Sequence, residues 1–254
     1  MLEAFAREYG ITYDLLSDEG SAVIRELGLV NEHIAAQQAF YGRDVDERHV
    51  DLPYPGSFVL DEGGVVVQRL FEQSYRPRPS AGYLFRQVSG VPAEAARSAT
   101  SERGPVAITA WLDSAYFRPL EIRELYVELR IADGWHVYTE PIPDGFTPLA
   151  VEVRADAELA SGPAAIPEGH PFTVEGLPEQ FAVLDGACLI TVPLQLPGAK
   201  LRLDGRPRAQ PGAPGPVTLD VEVTYQACSA TECLPPERQQ LHLEIDEAES
   251  VPRG

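Results

Sequence analysis

The sequence predicts two domains, a short segment of mixed helices and strands followed by a larger all-β antiparallel sandwich. Helical and strand patterns alternate up to about residue 90, whereas short strand patterns follow one another from residue 105. A chain of 254 residues with 44% hydrophobic content is long enough to bury a core in one or two domains. We place the first segment at residues 1–90, a linker at 91–104, the sandwich at 105–248 and a tail at 249–254.

The charge of the chain limits its partners. The sequence carries 20 basic and 39 acidic side chains, which give a net charge of -19. Such a surface repels the phosphates of nucleic acids and of anionic lipids. No stretch reaches the roughly 18 to 20 apolar residues of a transmembrane helix, and the first residues lack the basic and then apolar start of a signal peptide. We expect no nucleic-acid partner and no membrane insertion, and the compartment, cytoplasmic or extracytoplasmic, stays open.

The first ninety residues contain predicted helices, strands and one hairpin. The spacing of Leu2, Phe5 and Tyr9 is helical and ends at Gly10, a residue that often terminates helices. The other predicted elements, in order, are a strand at 11–16, a helix capped by Ser17-Asp18 that ends before Gly28, an irregular insertion at 29–50, a hairpin of strands 57–60 and 65–70, and a helix that begins at Pro79-Ser80.

Two stretches of this segment carry a family resemblance, residues 9–18 and residues 54–61. They resemble the C-terminal part of peroxiredoxin-like redoxins, the alkyl-hydroperoxide reductase and thiol-specific antioxidant group. The resemblance covers about residues 1–90 and implies an incomplete thioredoxin-like α/β fold. Members of that family reduce peroxides through a cysteine that follows an earlier strand, but no cysteine precedes Cys188 in this sequence. Peroxidase chemistry is therefore not supported within this segment.

A thioredoxin-like sheet without its first core strand exposes apolar surface and an unpaired strand edge. We therefore expect a truncated or late-started reading frame. The alternative is a structural module that packs on the second domain or on another chain.

The second half of the chain shows one strand pattern after another. Residues 91–104 are small and polar, which is typical of a linker. Apolar residues then alternate with polar ones in many short runs, with turns between them and no helical pattern, which favours an antiparallel sandwich of immunoglobulin-like type. The clearest runs are 125–131, 149–153, 188–196, 217–225 and 241–245.

Cys228 and Cys233 lie between the last two of these runs, at the closed end of a predicted hairpin. Opposed residues of an antiparallel pair have Cα atoms about 4.5 to 5.5 Å apart, within the range of about 4.4 to 6.8 Å that a disulfide needs. Pro235-Pro236 interrupts the strand ladder beside the sulfurs and leaves the site open. The acidic neighbours Glu232 and Glu237 disfavour a thiolate, so the pair should act as an electron donor.

Three interpretations of this cysteine pair stay open on the residues alone: a structural staple, a zinc clip and a redox pair. His136 is a candidate general base or metal ligand, and His242 is a candidate ligand beside the cysteines. Since zinc sites usually need four ligands and only two cysteines are close in sequence, we expect no metal and no cofactor. Cys188 is in phase with aliphatic side chains, so we expect a buried, inert thiol.

Residues 133–138, 189–194 and 223–237 carry a second family resemblance. They resemble the N-terminal domain of the thiol:disulfide interchange protein DsbD, and the resemblance covers about residues 105–248. It implies an immunoglobulin-like sandwich in which Cys228 and Cys233 accept electrons and pass them to partner thiol proteins, with a flexible loop over the pair. It favours Cys233 over Cys228 as the cysteine that forms the mixed disulfide.

The same resemblance implies which side chains line the site. His136 and Tyr138 match positions that carry aromatic side chains beside the disulfide, and the histidine departs from that pattern. Phe181 lies in the region expected to form the cap, or else is an ordinary core aromatic. Apart from the resemblance, closeness to the cysteines in sequence adds three expected lining residues, Tyr225, Glu232 and Pro235.

The leading functional hypothesis is thiol:disulfide exchange through Cys228 and Cys233, with thioredoxin-like or other dithiol proteins as partners. If active, the protein is an oxidoreductase that acts on thiol and disulfide groups. One alternative is a non-catalytic protein-interaction module in which the disulfide only staples the hairpin. The other is a fragment of a peroxiredoxin-type antioxidant protein whose catalytic cysteine lies upstream of Met1.

Overall fold

The computed structural model describes residues 2–40, 42, 44, 51–71, 78–118, 120–156, 159–173, 180–195 and 216–247. The chain divides into two compact units, of which the first ends at residue 75 and the second takes most of the chain from residue 76. Strands outnumber helices among the described elements. No helix in these ranges is both long and apolar enough to cross a membrane.

The first unit contains short helices and one hairpin. Its elements are α1 (Leu2–Glu8), a 3-10 turn (Glu19–Ser21), α2 (Ala22–Glu26), α3 (Ile34–Phe40), β1 (Gly56–Leu60) and β2 (Val66–Phe71). The predicted hairpin is confirmed, because β1 and β2 pair antiparallel. The Asp61 carboxylate closes its turn by accepting hydrogen bonds from the backbone N–H groups of Gly63 and Val65, both at 2.9 Å. The predicted helices at the start of the chain and before Gly28 are also present.

Two predictions for this unit are wrong. Residues 11–16 form no strand, and the predicted irregular insertion contains helix α3. A strand requires a neighbouring strand for its backbone hydrogen bonds, and no described strand pairs with residues 11–16. The short α3 has a weak apolar period, so its sequence pattern did not reveal it.

The second unit consists almost entirely of antiparallel strands with one helix. Its elements are β3 (Arg78–Pro79), α4 (Ala81–Ser89), β4 (Arg97–Arg103), β5 (Val106–Leu112), β6 (Tyr116–Phe117), β7 (Glu121–Ile131), β8 (Trp135–Thr139), β9 (Ala150–Ala155), β10 (Ala160–Ser161), β11 (His170–Thr173), β12 (Gln180–Leu184), β13 (Ala187–Gln195), β14 (Pro216–Tyr225), β15 (Ala227–Ser229) and β16 (Glu237–Glu247). The described strands form three sheets, with strand orders β10-β13-β7-β5-β4, β11-β12-β8-β15 and β6-β16-β14-β9. The short strand β3 adds to β7 in the first of these sheets.

One hydrophobic core joins these sheets. Every second residue of β5 and of β14 is buried, as the alternation in the sequence predicts. Aliphatic side chains from β5, β7 and β13 lie in the same buried cluster as those from β14 and β16. Two sheets that share a core in this way are consistent with a β-sandwich.

The predicted linker contains regular structure. Residues 97–103 form strand β4, which pairs with β5 at the edge of its sheet. The hydrogen bonds of an edge strand come from its backbone, so its side chains can be small and polar. For this reason the sequence of β4 looks like that of a linker. The Trp111 indole N–H also donates to the Ala93 carbonyl at 3.0 Å, which holds the preceding residues on the sheet.

Helix α4 belongs to the second unit, although the sequence assigns it to the first segment. Ser80 caps it by accepting a hydrogen bond from the Tyr83 N–H at 3.1 Å, as the predicted start at Pro79-Ser80 requires. The Ser80 N–H donates to the Ile122 carbonyl in β7, which fixes the start of the helix on this sheet. The predicted tail at 249–254 lies outside the described residues.

Candidate functional site

Cys228 and Cys233 face each other at the closed end of a hairpin and form a disulfide. Their Cα atoms are 4.1 Å apart, their sulfurs 2.08 Å apart, and their backbones form an antiparallel bridge. The Leu234 N–H donates to the Ala227 carbonyl at 2.9 Å, and the Ser229 N–H donates to the Glu232 carbonyl at 2.7 Å. The hairpin predicted from the strand patterns is therefore present.

The two cysteines differ in exposure. Cys228 is 1% exposed, whereas Cys233 is an exposed residue. Cys228 belongs to a buried cluster with Tyr138, Phe181 and Val183. A molecule that approaches from solvent therefore meets Cys233 first.

The sheet β11-β12-β8-β15 has two different faces. One face carries Val137, Leu184 and Ala227, which belong to the main core. The other face carries the disulfide together with aromatic side chains, since directly opposed residues of an antiparallel ladder point to the same side. Its members by strand register are His170, Phe172, Phe181, Val183, Tyr138, His136 and Cys228.

Among the residues that the structure describes, Tyr138 makes a polar side-chain contact with the disulfide. Its hydroxyl lies 3.8 Å from the Cys233 sulfur. Its ring packs against Phe146 and Phe181, with centroids 5.2 and 5.3 Å away. Burial raises the pKa of the Tyr138 hydroxyl, which keeps it protonated and able to donate.

His136 lies directly opposite Cys228 in the ladder between β8 and β15. The residue is 7% exposed, and its Nε2 atom is buried without a hydrogen-bond partner. Its ring packs against Phe172 at 4.4 Å and against Tyr138 at 5.4 Å. Burial lowers the pKa of the imidazole, so His136 is neutral near pH 7.

Comparison with known families decides where this chain belongs. The family model described as thiol:disulfide interchange protein DsbD, N-terminal, matches residues 113–245, which is more than half of the chain. The chain belongs to the DsbD N-terminal domain family. The AhpC/TSA family model matches residues 1–69. No curated protein matches the chain at the significance required.

Two solved structures are similar to this DsbD-family chain. The N-terminal periplasmic domain of ScsB from Proteus mirabilis is 14% identical, with a TM-score of 0.38, over 61% of this chain and 55% of that one. The reduced DsbD N-terminal domain from Neisseria meningitidis is 17% identical, with a TM-score of 0.29, over 49% of this chain and 82% of that one. The chain thus spans about half the length of the ScsB domain.

Three predicted lining residues of this DsbD-family chain, Tyr225, Pro235 and Glu232, lie in different surroundings near the hairpin. Tyr225 points into the main core, where its hydroxyl accepts a hydrogen bond from the Gln239 side-chain amide at 2.6 Å. Tyr225 and Pro235 line a shallow pocket of about 50 Å³ on that side. Glu232 is exposed in the hairpin turn. The nearby Glu237 lies 3.8 Å from Arg103, which offsets part of its negative charge.

The sequence did not reveal three residues beside the site, Gln226, Phe146 and Phe172. The Gln226 side-chain oxygen accepts from the Thr147 N–H at 3.1 Å, and its amide nitrogen donates to the Leu234 carbonyl at 3.1 Å. Gln226 therefore ties the cysteine hairpin to the loop that carries Phe146. Its position two residues before Cys228 was the available signal, whereas the two phenylalanines come from segments without a clear period.

The remaining sequence candidates lie outside this cluster or within its wall. Phe181 is in strand β12 and 1% exposed, so it forms part of the buried wall. Cys188 is a buried free thiol, as expected, and burial raises its pKa to about 11. His242 pairs with Asp220 at 2.5 Å in the sheet of β14 and β16. Among the described residues, no group of three potential ligands is placed to hold a metal ion.

Proposed function

We propose that the Cys228–Cys233 disulfide exchanges electrons with the dithiols of thioredoxin-like or similar proteins. The observation that carries this proposal is a disulfide at an open hairpin end with one buried and one exposed cysteine. Membership of a family described by thiol:disulfide interchange supports it. The partner and the direction of electron flow are part of the proposal.

The difference in exposure between the two cysteines supports an order of attack in this proposal. A partner thiolate attacks the Cys233 sulfur, the bond to Cys228 breaks, and its electron pair stays on the Cys228 sulfur. The second partner thiolate then attacks the partner sulfur of this mixed disulfide and releases Cys233. The partner leaves as a disulfide, and the chain gains two electrons and, after protonation, two protons. The Tyr138 hydroxyl lies where it donates a hydrogen bond to the Cys233 thiolate.

We also propose the finer architecture. The sandwich is of immunoglobulin-like type, and the first unit, up to residue 75, is an incomplete thioredoxin-like segment, which the AhpC/TSA match to residues 1–69 supports. In this proposal the first unit packs on another chain. Peroxide reduction is not proposed for residues 1–69, since all three cysteines lie outside them.

The burial of Cys228 favours a second candidate, in which the disulfide is only a structural staple. Single serine variants of the full chain separate the two. Cys228→Ser keeps the exposed Cys233, whose thiolate should form a stable mixed disulfide with a thioredoxin-like protein that carries one active-site cysteine activated by thionitrobenzoate, which leaves as the new bond forms. Cys233→Ser should form much less of it.

Cys188→Ser is the matched control, because that thiol is buried away from the hairpin, and exchange should match that of the unaltered chain. Gel separation without reductant and mass spectrometry identify the mixed disulfide. Equal trapping by Cys228→Ser and Cys233→Ser, or none by either, would exclude the proposed order of attack.

A further inference from the structure

His136 is a buried polar group without a partner at the site of the disulfide. Its Nε2 atom makes no hydrogen bond, and the residue is 7% exposed. A buried nitrogen without a hydrogen bond has lost its contact with water and gained no replacement, which destabilises the folded protein. The oxidised pair cannot remove the penalty, because a disulfide has no hydrogen to donate.

The strand register places His136 opposite Cys228. The two residues are directly opposed between β8 and β15, and such pairs have Cβ atoms about 4.5 to 5.5 Å apart on the same face of the sheet. Reduction converts the Cys228 sulfur into a thiol, which is a hydrogen-bond donor. The change that opens the disulfide therefore creates a partner for the imidazole nitrogen.

We propose that His136 is the hydrogen-bond and proton partner of the Cys228 sulfur in the reduced protein. The inference rests on the proposed exchange function and adds a residue to it. When the bond to Cys233 breaks, the electron pair on Cys228 takes up a proton that enters from water by way of the imidazole. The Cys228 thiol then donates to the neutral imidazole, and on reoxidation the proton returns by the same route.

The other titratable groups near His136 are not placed to act as the hydrogen-bond partner of Cys228. The neighbouring titratable groups are Tyr138 on the same strand, His170 on β11, and Asp185 after β12. His170 and Asp185 bind each other at 2.9 Å and are both exposed. The Tyr138 hydroxyl is directed to Cys233. The buried Cys228 thus has the unpartnered imidazole as its neighbour in register.

The consequence is a thiol–disulfide equilibrium that His136 shifts towards the reduced form. Glu232 and Glu237 act in the opposite direction, since negative charge opposes a thiolate. Replacing the imidazole by an apolar ring removes the unpaired nitrogen from the oxidised state and the hydrogen bond from the reduced state. Both changes favour the disulfide.

The test is a redox titration of the full chain in dithiothreitol buffers, with His136→Phe, His136→Gln and the control His242→Gln. His136→Phe should make the pair about tenfold harder to reduce, which is about 30 mV for a two-electron couple. His136→Gln retains a hydrogen-bond partner and should recover much of this loss. His242 lies in another sheet, so its variant should titrate like the unaltered chain.

A second readout separates proton exchange from packing. In a Cys233→Ser background, His136→Phe should lower the pKa of the Cys228 thiol, measured by thiolate absorbance, because the protonated thiol loses the acceptor of its hydrogen bond. His136→Gln keeps an acceptor and should leave this pKa close to that of the background. An unchanged equilibrium constant and an unchanged thiol pKa in folded His136→Phe would overturn the proposal. Because dithiothreitol replaces the protein partner, this result does not depend on whether a thioredoxin-like protein exchanges with the chain.

Discussion

Gln226→Leu tests how the cysteine hairpin is held on the sandwich. The substitution removes the hydrogen bonds to Thr147 and Leu234, both 3.1 Å long and partly buried. A typical hydrogen bond contributes about 0.5 to 1.5 kcal/mol to stability, so the two together amount to about 1 to 3 kcal/mol. For a unit of this size, the melting temperature should fall by about 2 to 4 °C for each kcal/mol lost.

Tryptophan fluorescence measures this change in the relevant unit. The chain has 2 tryptophans, Trp111 and Trp135, and both lie in the second unit. Gln240→Leu is the matched control, since Gln240 makes one exposed hydrogen bond to Glu222 at 3.3 Å and its loss should change stability by less than about 0.5 kcal/mol. Equal denaturation midpoints for the two leucine variants would refute the assigned role of Gln226.

Three further predictions concern the core, the free thiol and the buried imidazole. Leu219 is fully buried between the sheets, so Leu219→Ala should lower the free energy of unfolding, measured in urea titrations, by about 2 to 5 kcal/mol. A loss below about 1 kcal/mol would place Leu219 outside the core. With its pKa raised to about 11, Cys188 should resist alkylation near pH 8 until the protein unfolds, and rapid labelling of the native chain would contradict its burial. The folded-state pKa of His136 is below its ordinary value of 6.5, so the unfolded chain binds more protons near and below that pH. Stability should therefore fall as the pH drops through 6.5, and His136→Phe should reduce this dependence; an unchanged profile would show that His136 does not cause it.

Strand alternation predicted the main sandwich strands and the cysteine hairpin. Apolar residues repeat at every second position along the 10 residues of β14 and over 241–245 of β16, so the pairing of these strands on either side of the two cysteines follows from local sequence. The same alternation placed Tyr225 in phase with buried residues, and its side chain does point into the core. Its assignment to the lining of the disulfide rested on proximity in sequence.

Contacts between distant segments could not be predicted in the same way. Phe172 and Phe181 reach the Cys228 face through the pairing of β11, β12 and β8, which no local pattern specifies. Phe146 lies in a proline- and glycine-containing loop without a period. The edge strand β4 has small polar side chains, so its backbone pairing was not visible in its sequence.

The reduction potential of the Cys228–Cys233 pair in the full chain tests the central claim most directly. Equilibration with glutathione or dithiothreitol buffers, followed by alkylation and mass spectrometry, gives the fraction reduced. We predict a potential above about -300 mV, within reach of thioredoxin-like dithiols. A potential below that value would identify a structural disulfide and contradict the proposed exchange.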